Sequence, residues 1–158
     1  LSHSPQVKSN KKINAQKKYK LLFAEDDENT YYFIKETLNL YTNHVFKGFT
    51  NGSDLLEEFE KNPDYDLIIL DIQMDKLNGI DTLKEIRKTN QDIPTIALTA
   101  FAMEEEKKKF LKLGFTDFIA KPIDIDAFVN RVNSLIEKTL DSTNETDNYI
   151  SELEDFLM

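Results

Sequence analysis

Four short apolar runs in this chain break off on side chains able to hold a cation or a phosphoryl oxygen. Leu21-Leu22-Phe23-Ala24 stops on Glu25 and Asp26, Leu67 to Leu70 on Asp71, Pro94 to Leu98 on Thr99, and Thr116 to Ala120 on Lys121. Carboxylates crowded within a few ångströms repel by about 4 kcal/mol per close pair at intermediate dielectric. A hard divalent cation with oxygen ligands relieves that repulsion, and Mg2+ suits one or two carboxylates together with waters and a phosphate oxygen. A carboxylate can also attack phosphorus to give an acyl phosphate, and phosphoryl transfer needs its equatorial oxygens positioned and neutralised. Metal, lysine ammonium and threonine hydroxyl would supply that neutralisation, which makes Asp71 the candidate nucleophile. Each residue alone has a plainer use: Glu25 to Glu28 are favourable charges at a helix N-terminus, Asp71 can cap a turn, Thr99 can end a strand, and Lys121 can sit on a surface. Their joint placement is what points to chemistry.

That placement requires the runs to be strands whose ends share one edge. The stretch DYDLIILDIQMDKLNG, from Asp64 to Gly79, has an apolar centre too short for a membrane span and rich in β-formers. It reads as a strand buried on both faces of a parallel sheet. A further strand is expected from His44 to Phe49. Between the strands lie helical stripes: Ile34, Leu38 and Tyr41 with Phe33 and Thr37; Leu55, Leu56 and Phe59, stopped by Asn62-Pro63; Ile80, Leu83 and Ile86; and Ile125, Phe128, Val129, Val132 and Leu135. Another helix is expected over 102–113, with Glu104–Lys108 and Glu105–Lys109 in the favourable i,i+4 order and Gly114 just past its end. Five strands alternating with five helices give an α/β, doubly wound parallel sheet with helices on both faces. Ligands in such sheets bind beyond the carboxyl ends of the strands. Gly52 and Gly79 are lone turn glycines rather than a phosphate-cradling loop.

The 158 residues are 40% hydrophobic and 31% charged, enough for one globular core without disulfides or a structural metal. The absence of cysteine excludes a disulfide framework, a thiolate zinc site and a thiol nucleophile. No apolar run is long enough to cross a bilayer and no signal-peptide pattern is present. A formal charge of −9 argues against nucleic-acid binding by this segment. The first twenty residues hold six lysines and no acid, and the last twenty hold six acids and no base. Residues 1–18 therefore read as a basic linker or disordered N-terminal segment, and residues 140–158 as an acidic tail whose composition favours disorder over the short helix that the spacing of Ile150, Leu153 and Leu157 would allow. The start on Leu1 rather than Met suggests a piece of a longer chain. His3 and His44 lack the acidic context of a phosphodonor histidine and read as structural.

LLFAEDDENT, LIILDIQM followed by NG, IALTA and DFIAKPI occur in that order between about Tyr19 and Thr139. In these motifs the chain resembles a receiver domain of the two-component response-regulator family, with domain bounds of 19–139. The resemblance implies a flavodoxin-like sheet of order 2-1-3-4-5. It implies phosphoryl transfer onto Asp71 from a histidine kinase or a histidine phosphotransfer domain, with self-phosphorylation and autodephosphorylation. It implies Mg2+ held by Asp26 directly, by Glu25 largely through water, by Asp71, and by the backbone carbonyl of Gln73. Lys121 would pair with the Asp71 carboxylate and then with the phosphoryl group, and Thr99 would swing in to bond a phosphoryl oxygen. Phe118 matches the aromatic switch position, and Pro122 the residue that often follows a cis peptide bond. Two features are this chain's own. Asp75 follows Met74 where the family usually has proline, which loosens the loop and adds a carboxylate. Phe101, two residues after Thr99, is bulky enough to shield the phosphoryl group, so slow hydrolysis of the acyl phosphate is expected.

The wording IQM and ALTA resembles receivers fused to sensor kinases. The expectation is a C-terminal receiver of a hybrid histidine kinase, cytoplasmic, tethered to the inner membrane only through that parent, with no direct membrane contact of its own. A homodimer through the face of helix 4, strand 5 and helix 5 is a further expected partner. The alternatives are a free-standing single-domain regulator and a pseudo-receiver that never takes phosphate. An aspartyl-phosphate enzyme of the haloacid-dehalogenase-like type needs a second aspartate two residues after the nucleophile, where Gln73 stands.

Overall fold

The computed structural model describes residues 18–137; the expected linker (apart from Lys18) and the acidic tail with its short helix lie outside the described residues. Strands β1 (Lys20–Ala24), β2 (Val45–Phe49), β3 (Leu67–Asp71), β4 (Thr95–Thr99) and β5 (Asp117–Ala120) alternate with helices α1 (Glu28–Tyr41), α2 (Gly52–Lys61), α3 (Gly79–Thr89) and α4 (Glu104–Leu113), and with α5 over 125–137. The strands form one sheet in the order β2-β1-β3-β4-β5 with every neighbouring pair parallel. This is the doubly wound, flavodoxin-like arrangement expected from the sequence. No helix among the described residues is long and apolar enough to cross a membrane.

Successive strand side chains point to opposite faces, so the apolar runs build two cores at once. Leu21, Phe23, Leu67, Ile69, Ile96, Leu98 and Ile119 meet α1 and α5 through Ile34, Leu38, Phe128, Val129 and Val132. Leu22, Ala24, Ile68, Leu70 and Ala97 meet α2, α3 and α4 through Leu55, Phe59, Leu83, Ile86 and Phe110. Every residue of β3 and β4 is buried, and each large apolar side chain so removed from water contributes about 1.5–3 kcal/mol. The helices start on side-chain caps: Asp27, Asn51 and Asn78 each accept from an N–H three residues on. Only α4 among these begins without one, at Met103, and it ends on Gly114 at φ 113°, a left-handed conformation that glycine adopts without strain.

Two expectations need correcting. Tyr41 is 41% exposed; the inward stripe of α1 lies a turn earlier, from Tyr31, whose ring meets Phe23 at 5.0 Å, through Ile34 to Leu38. On α4, the pairs Glu104–Lys108 and Glu105–Lys109 do not form. Lys107 lies over the Phe118 ring, 4.8 Å from its centroid, and takes Glu104 as its partner at 3.7 Å. Lys108, Lys109 and Lys112 are left without a carboxylate partner among the described residues.

His44 is structural in its contacts. Its ring meets Tyr19 edge-on at 5.6 Å and its Nε2 lies 3.0 Å from Asn133 Oδ1 on α5, while Nδ1 is buried without a partner. Burial holds its pKa below the ordinary 6.5, against the opposing pull of Asn133 and Asp66. The unfolded chain therefore binds the proton more readily than the folded one, so stability is complete above that ordinary value and declines as the pH falls through it toward the lower folded value. Between neutral and mildly acidic pH the parent chain should lose stability relative to His44→Phe, read as the difference between their denaturation midpoints.

Candidate functional site

The sheet register assembles the site. Ala24 pairs with Leu70, so Glu25 and Asp71 leave the ladder side by side. Asp71 pairs with Leu98, which puts Thr99 next along, and Thr99 pairs with Ala120, which puts Lys121 next along in turn. Asp71 and Thr99 are the last residues of their strands rather than the first beyond them, so the sheet itself fixes their backbones. The five candidates thus meet at one edge although 96 positions separate Glu25 from Lys121.

The run of four acids after β1 divides into separate tasks. Glu25 is fully buried, and one of its oxygens accepts from the Asp27 N–H at 3.0 Å. Asp26 is exposed and accepts from the Asp75 N–H at 3.2 Å. Asp27 is the cap of α1, accepting from Thr30 N–H at 2.9 Å. Asp71, 3% exposed, accepts from the Gln73 N–H at 3.3 Å. Lys121 Nζ stands between the two buried acids, 2.8 Å from Glu25 Oε1 and 3.0 Å from Asp71 Oδ1. It meets Glu25 Oε1 as an ion pair, without the alignment of a directed hydrogen bond. The Thr99 hydroxyl is held by its own loop, accepting from the Phe101 N–H at 2.9 Å. The peptide bond from Lys121 to Pro122 is cis, as the resemblance implies.

The electrostatics are those of crowded anions. Burial first, and then the neighbouring Asp71 carboxylate, push Glu25 up to about 7, against the Lys121 ammonium and the Asp27 amide. Burial pulls the Lys121 ammonium down, but Glu25 and Asp71 outweigh it and leave its pKa raised. One carboxylate oxygen from each of Glu25, Asp26 and Asp71 lies within 4.8 Å of the others. A single ammonium against three carboxylates, all hard oxygen donors, fits a divalent cation such as Mg2+. A cavity of about 300 Å³ opens over these groups, bordered also by Gln73, Thr99 and Phe101.

The structure adds what the sequence did not show. Where proline would remove a donor, Asp75 supplies the amide that ties its loop to Asp26. In the same loop Lys76 and Leu77 sit at φ 49° and 71°, a conformation uncommon for residues with a side chain. Gly79 is required by close approach: a Cβ there would meet the backbone oxygen of Asp71 at 2.3 Å. Phe118 is partly buried, packed on the core beneath α4 with Lys107 above it.

The model for the family described as response regulator receiver domain matches residues 21–133. The transcriptional regulatory protein CpxR homolog of Haemophilus influenzae is 34% identical over 134 residues, covering 82% of this chain and 55% of that protein. The transcriptional regulatory protein RprY of Bacteroides fragilis is 29% identical over 136 residues, covering 86% of this chain and 57% of that protein. The chain therefore spans little more than half the length of these two relatives. Among solved structures, the receiver domain of Francisella response regulator 1452 is 34% identical with a TM-score of 0.69, covering 77% of this chain and 98% of that one.

Proposed function

The chain belongs to the response regulator receiver domain family, and from that membership we propose that it accepts a phosphoryl group from a phosphohistidine onto Asp71. The supporting observation is Lys121 Nζ bridging Glu25 and Asp71 at 2.8 and 3.0 Å beside an exposed Asp26. An Asp71 carboxylate oxygen attacks phosphorus; the bond from phosphorus to the donor imidazole nitrogen breaks, and its electron pair leaves with the imidazole. Lys121 keeps its hold on Glu25 and follows the new negative charge from Asp71 to the phosphoryl oxygens. Thr99 exchanges its bond to the Phe101 amide for one to a phosphoryl oxygen. Asp26, Asp71, the Gln73 carbonyl and, through water, Glu25 are the residues that would hold Mg2+, which when bound neutralises and orders the phosphoryl oxygens. Phe118 then turns inward into the space Thr99 leaves, and the surface around α4, β5 and α5 changes with it, a local charge event biasing a two-state face.

The donor is a histidine kinase or histidine phosphotransfer domain, in the cytoplasm, with residues 19–139 as the receiver unit. For the parent chain, the relatives are transcriptional regulatory proteins longer than this segment, which favours a response regulator over the hybrid histidine kinase. Incubation with a phosphohistidine donor or acetyl phosphate, with and without Mg2+, followed by intact mass, tests the proposal. One added phosphoryl group, dependent on Mg2+, is expected; an unchanged mass would instead support a pseudo-receiver.

Phe101 borders the cavity with 56% of its surface exposed, so it stands at the rim where water approaches. Phe101→Ala should shorten the lifetime of the acyl phosphate several-fold, read as decay after donor removal. An unchanged decay would remove the shielding role.

A further inference from the structure

The outer face of α4 carries an unanswered set of charges. Its three acids stand in the first turn and its four lysines follow. Lys107 is taken up by Glu104 and the Phe118 ring, while Lys108, Lys109 and Lys112 have no carboxylate partner among the described residues. Leu111 is 50% exposed; Lys107 and Lys108, four and three positions before it, are its neighbours on the helix surface. An exposed apolar side chain beside unpaired ammonium groups suits an acidic amphipathic segment.

The chain carries such a segment. Residues 139–158, outside the described residues, hold six acids and no base, with Ile150, Leu153 and Leu157 at helical spacing and Glu152, Glu154 and Asp155 between them. We propose that this segment docks on the C-terminal half of α4 of its own chain, setting Ile150, Leu153 and Leu157 on Leu111 and its carboxylates beside Lys108 and Lys112. Reach permits it: residues 138–149 span up to about 40 Å when extended, against a radius of gyration of about 14 Å for a domain of this size. Tethering also makes weak docking sufficient, because a short linker gives an effective concentration of about millimolar. Among the described residues, the exposed apolar side chains Leu40, Tyr41 and Val45 have no comparable cluster of unpaired cations on their own elements. The docked segment would cover the outer side of the helix whose Glu106, Lys109 and Phe110 border the cavity over Asp71. It rests on charge and exposure alone and does not depend on phosphoryl uptake.

The chain has no cysteine, which makes disulfide trapping clean. In the full 158-residue chain, Leu111→Cys with Leu153→Cys is compared with Leu40→Cys with Leu153→Cys; Leu40 and Leu111 are exposed, so both variants keep their core. The Leu111 pair should close within one chain about tenfold faster at low salt. That advantage should shrink in about 1 M salt, where charges are screened beyond about 3 Å, and on adding Lys108→Glu and Lys112→Glu. Equal closure rates, faster closure of the Leu40 pair, a disulfide joining two chains, or an advantage indifferent to salt and charge reversal would each overturn the proposal.

Discussion

Asp71→Asn is expected to abolish phosphoryl uptake, leaving the intact mass unchanged under donor and Mg2+ conditions that label the parent chain. The amide keeps the shape of the side chain and its strand pairing with Leu98, and Lys121 retains Glu25 at 2.8 Å, so the fold and the cation survive. What disappears is the anionic oxygen proposed to bond phosphorus, and a neutral amide is no nucleophile for this step. Of the three clustered acids, Glu25 is fully buried with both oxygens engaged, by the Asp27 amide and by Lys121. Asp26 is the exposed one, and label remaining after Asp71→Asn would rule out Asp71 as the acceptor. A melting curve on the same sample separates loss of chemistry from loss of fold.

Arg87→Met is expected to be the most destabilising of the substitutions considered, at about 2–4 kcal/mol by urea denaturation, from the loss of several hydrogen bonds to a charged group. Arg87 sits in the last turn of α3 and folds back beneath it. Its guanidinium donates to the Gly114 carbonyl from Nε and Nη2 at 3.2 and 2.8 Å, and to the Asn90 and Ile93 carbonyls from Nη1 at 3.2 and 2.9 Å. Nη2 also reaches Thr95 Oγ1 at 3.4 Å. One side chain thus joins the end of α3, the start of β4 and the turn that closes α4. Methionine preserves the aliphatic stem but takes their donor from the Gly114 and Asn90 carbonyls and leaves Ile93 with the Thr95 hydroxyl alone, at 3.1 Å. Arg87→Lys should recover little, because a single ammonium cannot reproduce the planar fork. Full stability in Arg87→Met would show that water satisfies the carbonyls instead.

Four of the strands and the identity of the rim residues were legible because each of those strands is an apolar run cut off by an ionic or hydroxyl group, a local pattern. The order of the strands followed only from the family resemblance. What was not legible depends on where side chains turn. Glu25, Asp26 and Asp27 are three consecutive acids in sequence, and only the fold separates the buried ion-pair partner, the exposed carboxylate and the helix cap. Arg87 looks like an ordinary last-turn cation, because Gly114, which it binds, is 27 positions away. The lysine pairing on α4 misled because helical spacing is blind to the Phe118 ring, which draws Lys107 down. Asp75 seemed only to loosen its loop; the amide that proline lacks turns out to anchor it.

The three clustered carboxylates carry a cost that the rest of the molecule must cover. Two of them are buried, and one ammonium is shared between those two, so the metal-free domain folds against its own electrostatic repulsion. Selection for thermal hardiness alone would discard these acids, as destabilised functional sites commonly show when engineered for heat resistance. Their survival sets a ceiling on how rugged the domain becomes, and the doubly buried β3 and β4 supply the reserve that keeps it folded beneath that ceiling.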